Sequence, residues 1–241
     1  MTLIDALLDS LAGDATVRDA RSNRNWIAVW SRYCGLASTL ASAGSQVSTA
    51  AIDTVGLAGQ SARELARFAL SDDPLDAALG MAAVNSLLDI DESRCEERNG
   101  RDIVMERAPG KSVALVGHFP FVPELREVAR ELSVLELRPR PGDVPATDAA
   151  RVIPEAEVVA ITGTAFVNHT IEPLLGCCRP QALVIVIGPT APLSPVLFDF
   201  GVDIISGARV ADPPLTLRQV GDGADFRSMQ GIRRLTMRRP D

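Results

Sequence analysis

Lysine and histidine are scarce in this chain of 241 residues: Lys111 is the only lysine, and His118 and His169 are the only histidines. Pyridoxal phosphate is not expected as a cofactor, because it needs a lysine for its Schiff base. Lys111 precedes the first strand of a predicted sheet, which is the wrong edge for a site. The four cysteines show no CxxC spacing, so neither a zinc knuckle nor a thioredoxin-like motif is present.

Several other recognisable signals are missing. No apolar run approaches the roughly 20 residues of a membrane-spanning helix, and the acidic start MTLIDALLDSLAGD lacks the basic region of a signal peptide. The net charge is −7, without the basic stripe that nucleic acid requires. The P-loop, nucleophile-elbow and HExxH motifs are absent. We therefore expect a cytoplasmic protein with no membrane or nucleic-acid partner.

Residues 1–100 have the pattern of a small α+β domain. Leucines recur at helical spacing near the start, and residues 15–20 and 26–33 alternate well enough for two strands joined by the turn SNRN. Small residues at 35–50 predict a strand end followed by a loop. Two capped helices follow, and the charged connector at 89–100 marks the predicted domain boundary.

The pattern changes in residues 101–241, which we interpret as a second domain. From residue 111 onward, five short apolar strands alternate with helices. This alternation predicts an α/β fold with a Rossmann-like parallel sheet that is covered on both faces. The basic tail IRRLTMRRP is interpreted as a solvated terminal strand.

The polar loops that follow these strands are the candidate site, because ligands bind outside the carboxyl ends of parallel strands, where the strand order reverses. Each of these loops combines glycine with hydroxyl, amide or acidic side chains. The candidate binding residues are Gly117, Phe119, Glu136, Thr162, Gly163, Thr164, Asn168, Thr170, Gly188, Pro189 and Thr190. The candidate catalytic residues are His118 and His169.

Glu136 lies near the end of the second predicted strand, where a dinucleotide fold carries the acid that holds ribose hydroxyls. The companion GxGxxG motif is absent, because the segment His-Phe-Pro-Phe at 118–121 fills the loop after Gly117. We therefore do not expect NAD. A nucleoside-like ligand without a diphosphate stays open, as does a simple strand-end role for the acid.

The segment TGTAFVNHT at 162–170 offers several hydroxyl and amide groups beside a helix N-terminus, where anions are favoured. The same groups could serve only as helix caps. The two histidines could bind a divalent metal together with a carboxylate, act as a general base, or be structural. Cys177 and Cys178 are interpreted as buried, inert thiols.

Three stretches carry a family resemblance: VALVGHFPFV, ITGTAFVNHTIEPLL and IGPTAPLSPVLFDFGVDIISGARVADP. They resemble the family described as heavy-metal chelation proteins. The resemblance implies an enolase N-terminal-like domain packed on a Rossmann-like domain, with a site in the cleft between them. The residues that it implies for the cleft are Gly117, Thr162, Gly163, Thr164, Asn168, Gly188, Pro189 and Thr190. The implied role is to bind or handle a heavy metal or a metal-chelating small molecule.

The candidate edge has no dense cluster of cysteine, histidine and acidic side chains, which a metal held by the protein alone would need. A metal carried by a bound chelator would need fewer protein ligands. The partner expected from this reasoning is therefore a small-molecule ligand or a metal chelate.

Two further hypotheses stay open at this point. The first is a transferase-type enzyme that uses S-adenosylmethionine, with Glu136 on the ribose and His118 or His169 in acid–base work. The second is a dimeric scaffold with a vestigial site. A homodimer is the default expectation, because symmetric dimers are the commonest oligomers.

Overall fold

The structure is a computed structural model that describes residues 1–40 and 54–240. Its strands are β1 Asp19–Ser22, β2 Trp26–Trp30, β3 Cys34–Ser38, β4 Cys95–Glu97, β5 Ser112–Val116, β6 Glu131–Glu136, β7 Val144–Pro145, β8 Val158–Thr162, β9 Leu183–Ile187, β10 Ile204–Val210 and β11 Ile232–Arg238. Its α-helices are α1 Leu3–Asp9, α2 Ala62–Ala66, α3 Pro74–Leu87, α4 Gly100–Arg107, α5 Val122–Val128, α6 Ala149–Val152, α7 Ile171–Gly176, α8 Val196–Asp199 and α9 Pro213–Gly221.

The small N-terminal unit is built around α3. Asp73 caps this helix by accepting the amides of Leu75 and Asp76, and Pro74 occupies its first turn. The helix packs without intervening side chains at two points: a Cβ on Gly80 would lie 1.9 Å from the amide nitrogen of Ala69, and a Cβ on Gly35 would lie 2.1 Å from a carbonyl oxygen of α3. Glycine is therefore required at both contacts.

The order β1–β2–β3 forms a three-stranded antiparallel sheet beside α3. The strand predicted at residues 15–20 begins later, at Asp19, because the residues before it bond elsewhere: the Val17 amide donates to the carbonyl of Gln60. The strand end predicted at 35–50 is β3. The loop predicted after it falls at 41–53, outside the described residues.

The large sheet has the order β4–β11–β10–β9–β8–β5–β6–β7. Strands β5 to β10 are mutually parallel, which confirms the predicted Rossmann-like sheet, and β4 and β11 add two antiparallel strands. The basic tail is a strand, as interpreted, but it is not a solvated one: β11 lies inside the sheet, between β10 and β4. Leu235, Thr236 and Met237 are buried there, while neighbouring arginines pair with acids such as Glu96 and Glu97.

Strand order reverses between β5 and β8. The chain runs outward from β5 through β6 to β7, and then starts again on the other side of β5 with β8, β9 and β10. The loops after β5 and β8 therefore diverge and leave a crevice at the carboxyl edge of the sheet. This is the position at which open α/β sheets bind ligands.

The N-terminal unit and the large sheet share one apolar core, which includes residues of α1 and α3 together with β8, β9 and β10. Polar contacts also join them. The amide of Leu3 donates to Glu172, and the Asn85 side chain donates to the Thr190 carbonyl. Strand β4 precedes residue 100 and yet belongs to the large sheet. In the described ranges, none of the helices is both long and apolar enough to cross a membrane.

Candidate functional site

Two cavities open at the carboxyl edge of the parallel strands. The large cavity, of about 810 Å³, lies at the ends of β5, β6 and β8. The small cavity, of about 400 Å³, lies at the end of β9 and beside the middle of β10. Phe119, Pro120 and Arg227 line both of them. The large cavity coincides with the reversal of strand order, so it is the candidate site that the sequence pattern predicts.

Most residues singled out in the sequence line the large cavity. They are Gly117, His118, Phe119, Glu136, Thr162, Thr164, Asn168 and Thr170. Gly188 and Pro189 line the small cavity instead. The convergence follows from chain direction, because each of these loops leaves its parallel strand at the same edge of the sheet.

Three predicted site residues line neither cavity. The Thr190 side chain is buried and accepts the Ser38 amide at 2.9 Å, so it joins the two units of the chain. The His169 Nε2 lies 2.9 Å from the Ala69 carbonyl oxygen, again between the two units. A Cβ on Gly163 would lie 2.4 Å from the Ala191 amide nitrogen, so this glycine allows two backbones to pack. The structure therefore does not bring the two histidines together in one cavity.

His118 is held by two carboxylates. Its Nδ1 lies 2.9 Å from Asp143 Oδ2, and its backbone amide donates to Glu136 Oε1 at 2.5 Å. The Asp143 side chain is only 2% exposed and also accepts the Arg140 amide. Within residues 1–40 and 54–240, the imidazole Nε2 has no hydrogen-bond partner. A ring fixed through Nδ1 by a buried carboxylate, with Nε2 open, is an arrangement shared by metal-ligating histidines and by histidines that act as general bases.

The backbone of the loop after β5 is shaped by Gly117. Its φ is +100°, in the region that favours glycine, and a Cβ there would lie 3.1 Å from the Thr162 Cβ. The ends of β5 and β8 consequently approach each other closely below the cavity. His118 follows directly, so the turn at Gly117 positions the imidazole.

The hydroxyl and amide groups after β8 bond chiefly to one another. Thr162 Oγ1 lies 3.0 Å from Thr164 Oγ1, and Asn168 Oδ1 accepts both the amide and the hydroxyl of Thr170. Thr170 precedes α7 but gives it no side-chain cap. The group is a preformed polar wall, with lone pairs still available for a ligand.

The charges in the large cavity favour an anion. Its lining includes three arginines, Arg138, Arg140 and Arg227, against the two carboxylates Glu136 and Asp225. None of the three guanidinium groups has a carboxylate partner in the part of the chain that the structure describes. With Asp143 behind His118, the acids at the cavity equal its arginines in number, so its capacity to bind an anion comes from guanidinium groups without carboxylate partners among the described residues and not from a net positive charge.

Arg227 was missed in the sequence because it lies between α9 and β11, where no motif marks it. β11 is antiparallel, with Ile232 opposite Val210 at the end of β10. The segment before β11 must therefore lie at the carboxyl edge, beside both cavities. Recognising the tail as an interior antiparallel strand is the signal that would have found this arginine.

The two neighbouring cysteines have different surroundings. Cys177 lines the large cavity, so the interpretation of this residue as a buried, inert thiol is wrong about its position. The thiol of Cys178 donates to the Leu174 carbonyl, and burial, with smaller contributions from Cys177 and Asp203, raises its pKa to about 11. Cys178 is therefore protonated and unreactive at neutral pH.

No group of three or more histidine, cysteine, aspartate or glutamate side chains is arranged to hold a metal ion in residues 1–40 and 54–240. His118 is instead the one imidazole of the large cavity, with its carboxylate support behind it. The described donors therefore do not fit a bare ion held by the protein alone.

Comparisons with known proteins identify the family. Residues 99–239 and residues 4–88 match two family models, each described as "Putative heavy-metal chelation". The chain belongs to this family. An uncharacterized protein of Methanocaldococcus jannaschii is 30% identical over 158 residues, which cover 62% of this chain and 60% of that protein. The match thus spans less than two thirds of the relative's length.

Two crystal structures of proteins with unknown function from the family have the same fold. The protein from Desulfitobacterium hafniense DCB-2 is 25% identical, with a TM-score of 0.84, over 98% of this chain and 97% of its own. The protein from Pyrococcus horikoshii is 21% identical, with a TM-score of 0.79, over 98% of this chain and 100% of its own. These similarities confirm the mixed α/β architecture. They give the S-adenosylmethionine hypothesis no support.

Proposed function

We propose that the protein binds an anionic metal chelate in the large cavity. In this proposal a small organic chelator supplies most of the metal's ligands, and His118 supplies one through Nε2. The observation that carries the proposal is that one cavity holds three arginines without carboxylate partners in the described residues and a single imidazole that Asp143 orients from behind. The family description, which names heavy-metal chelation, is consistent with a ligand that contains a metal.

The size and lining of the large cavity support a small organic ligand. A volume of about 810 Å³ falls within the range of small-molecule sites, which is roughly 300–1,000 Å³. Apolar side chains such as Val116, Leu135 and Leu174 contribute to the wall beside the threonines. A chelator with a carbon skeleton and several carboxylates matches both kinds of surface.

The arginines of the large cavity favour an anionic ligand over a bare metal ion. Arg138 and Arg140 follow β6 and line the cavity without carboxylate partners in the described chain. Guanidinium groups bind carboxylates through two parallel hydrogen bonds. They would repel a free cation and attract a metal whose charge is outweighed by its chelator. This charge pattern favours the chelate over the ion.

The test is binding of Ni²⁺–nitrilotriacetate to untagged protein, followed by thermal unfolding and calorimetry. This complex is anionic and leaves coordination positions open to an imidazole, whereas Ni²⁺–EDTA is anionic with none open. We expect the nitrilotriacetate complex to stabilise the fold by about 2.7 kcal/mol at a hundredfold excess over its dissociation constant. Ni²⁺–EDTA should bind at least about tenfold more weakly, because its metal has no position open to the imidazole. About tenfold is the lower end of the loss in affinity seen when a group that supports a metal ligand is removed.

Two variants and one control make the test specific. His118→Gln should abolish the preference for the nitrilotriacetate complex, and Asp143→Asn should weaken binding by about 10–100-fold, as for other carboxylates behind ligating histidines. His169→Asn keeps a residue that tolerates a positive φ and should bind normally. Equal binding of both nickel complexes, or normal binding by His118→Gln, would contradict the proposal.

A further inference from the structure

The small cavity combines aromatic and cationic side chains, of which, among the described residues, only Phe119 and Arg227 also line the large cavity. Its wall contains three phenylalanine rings and three arginines. They are Phe119, Phe121, Phe226, Arg101, Arg227 and Arg234.

The aromatic wall is held in place by neighbouring rings. Phe119 and Phe121 have ring centroids 5.4 Å apart with an interplanar angle of 30°, and Phe121 is buried. On the opposite side, Phe226 packs on Trp26 at a centroid distance of 5.4 Å. Rings restrained in this way offer faces and edges to another aromatic group with little loss of side-chain freedom.

Two arginines at this cavity lack an acidic partner. Arg234 lies over the Phe226 ring at 5.5 Å, and neither it nor Arg227 forms an ion pair in the described residues. The third arginine, Arg101, is neutralised by Glu124, the one carboxylate of the lining. The cavity therefore carries two uncompensated positive charges beside its aromatic wall.

Helix α4 adds to the positive potential. It begins at the cavity with Gly100, and a Cβ there would lie 2.8 Å from the Ser206 Cβ, so the helix start packs directly on the middle of β10. Asn99 caps the helix by accepting the Arg101 amide. The N-terminal end of a helix carries a partial positive charge, which acts with the arginines on the same side.

We infer that the small cavity is a second binding site, for a planar aromatic compound that carries a carboxylate. The ring packs against Phe119 and Phe226, and the carboxylate pairs with Arg227 and Arg234. An aliphatic anion would satisfy only the arginines, and a neutral aromatic compound only the rings. The inference involves neither His118 nor a metal. The two sites share Phe119 and Arg227 as a common wall, whereas Arg234 lines the small cavity alone.

The experiment uses the untagged full chain, freed of metal, and isothermal titration with naphthalene-2-carboxylate. Its neutral analogue, naphthalene-2-methanol, has the same ring system without the charge. We expect one carboxylate to bind per chain. The alcohol should bind about tenfold more weakly, because charge-assisted hydrogen bonds to arginine contribute roughly 1–1.5 kcal/mol more than neutral ones and 1.4 kcal/mol is tenfold.

Matched arginine variants locate the site. Arg234 lines only the small cavity, Arg140 lines only the large one, and Arg126 is an exposed arginine of α5 that lines neither. Arg234→Gln should weaken naphthoate binding about three- to tenfold, while Arg140→Gln and Arg126→Gln leave it unchanged. Three results would each overturn the inference: no binding of the carboxylate, equal binding of the alcohol, or loss of affinity in Arg140→Gln with Arg234→Gln unaffected.

Discussion

The backbone amide of Ser38, at the end of β3, donates to the buried hydroxyl of Thr190, 2.9 Å away in the loop after β9. This bond joins the small sheet to the large one. The carbonyl of the same threonine accepts the side chain of Asn85 from α3. One residue therefore satisfies donors from two elements of the N-terminal unit, which fixes that unit on the edge where the cavities lie.

Thr190→Val should destabilise the protein by about 1–3 kcal/mol, because it keeps the shape of the side chain and leaves the buried Ser38 amide without an acceptor. Thr216→Val is the matched control: this hydroxyl is also buried, but it has no hydrogen-bond partner in the described structure. We expect the control to be neutral or stabilising. Urea unfolding measures both, and equal losses of stability in the two variants would contradict this account of the interface.

Gly163→Ala should cost about 1–3 kcal/mol, the usual range for overpacking. The added Cβ would lie 2.4 Å from a backbone nitrogen, so the loops after β8 and β9 would have to separate. Gly176→Ala at the end of α7 meets no atom within 4 Å and serves as the control. The midpoint of thermal unfolding should fall in Gly163→Ala, and in Gly176→Ala it should stay near the wild-type value or rise. An unchanged midpoint for Gly163→Ala would show that the backbones do not approach so closely.

Glu157 gives the fold an acid-sensitive contact. The Lys111 ammonium, the Ser112 amide and Arg130 lower the pKa of this carboxyl to about 2. A depressed pKa in the folded state contributes stability that is complete above the unfolded value of about 4.5 and is lost as the pH falls toward 2. The stability difference between wild type and Glu157→Gln should therefore shrink from pH 6 to about pH 3.

Urea unfolding across that pH range measures the difference for Glu157. Glu127→Gln is the control, since Glu127 is an exposed acid of α5 with no ion pair in the described residues. Its stability difference from wild type should stay small and constant. A Glu157→Gln difference that is equally constant with pH would mean that the ion pairs with Lys111 and Arg130 do not form in solution.

Alkylation of cysteines should report occupancy of the large cavity. Cys177 lines that cavity, whereas Cys34 is buried in β3, where burial and Asp19 raise its thiol pKa to about 12. Iodoacetamide at neutral pH should therefore modify Cys177 well before Cys34. Bound Ni²⁺–nitrilotriacetate should slow the modification of Cys177 severalfold and leave Cys95, which lines neither cavity, unchanged. Tandem mass spectrometry follows each cysteine, because Cys177 and Cys178 lie on one tryptic peptide. A Cys177 rate that the complex does not change would contradict binding of the complex in the large cavity.

Much of the parallel sheet could be predicted, because its strands are short, buried and rich in β-branched residues. The place of β11 inside the sheet could not, since Arg233, Arg234 and Thr236 interrupt its apolar pattern and it is buried only from Leu235 to Met237. Its pairing depends on partners far away in the sequence. The domain boundary at residue 100 and the homodimer stay predictions.

The candidate site could be predicted only in part, for a related reason. Chain direction alone places Gly117, Thr164 and Asn168 at one edge of the sheet. Sequence does not tell whether a polar residue at that edge bonds a ligand or a neighbouring unit, so Thr190 and His169 were assigned to the site although they join the two units.

The most direct test of the metal-chelate proposal is pulsed electron paramagnetic resonance of the untagged protein with Cu²⁺–nitrilotriacetate. An imidazole bound to copper gives a characteristic electron spin-echo modulation from its remote nitrogen, which here is the Nδ1 that faces Asp143. The account predicts this modulation in the wild type and in His169→Asn, and its loss in His118→Gln. A wild-type spectrum without imidazole modulation, or one that persists unchanged in His118→Gln, would contradict it.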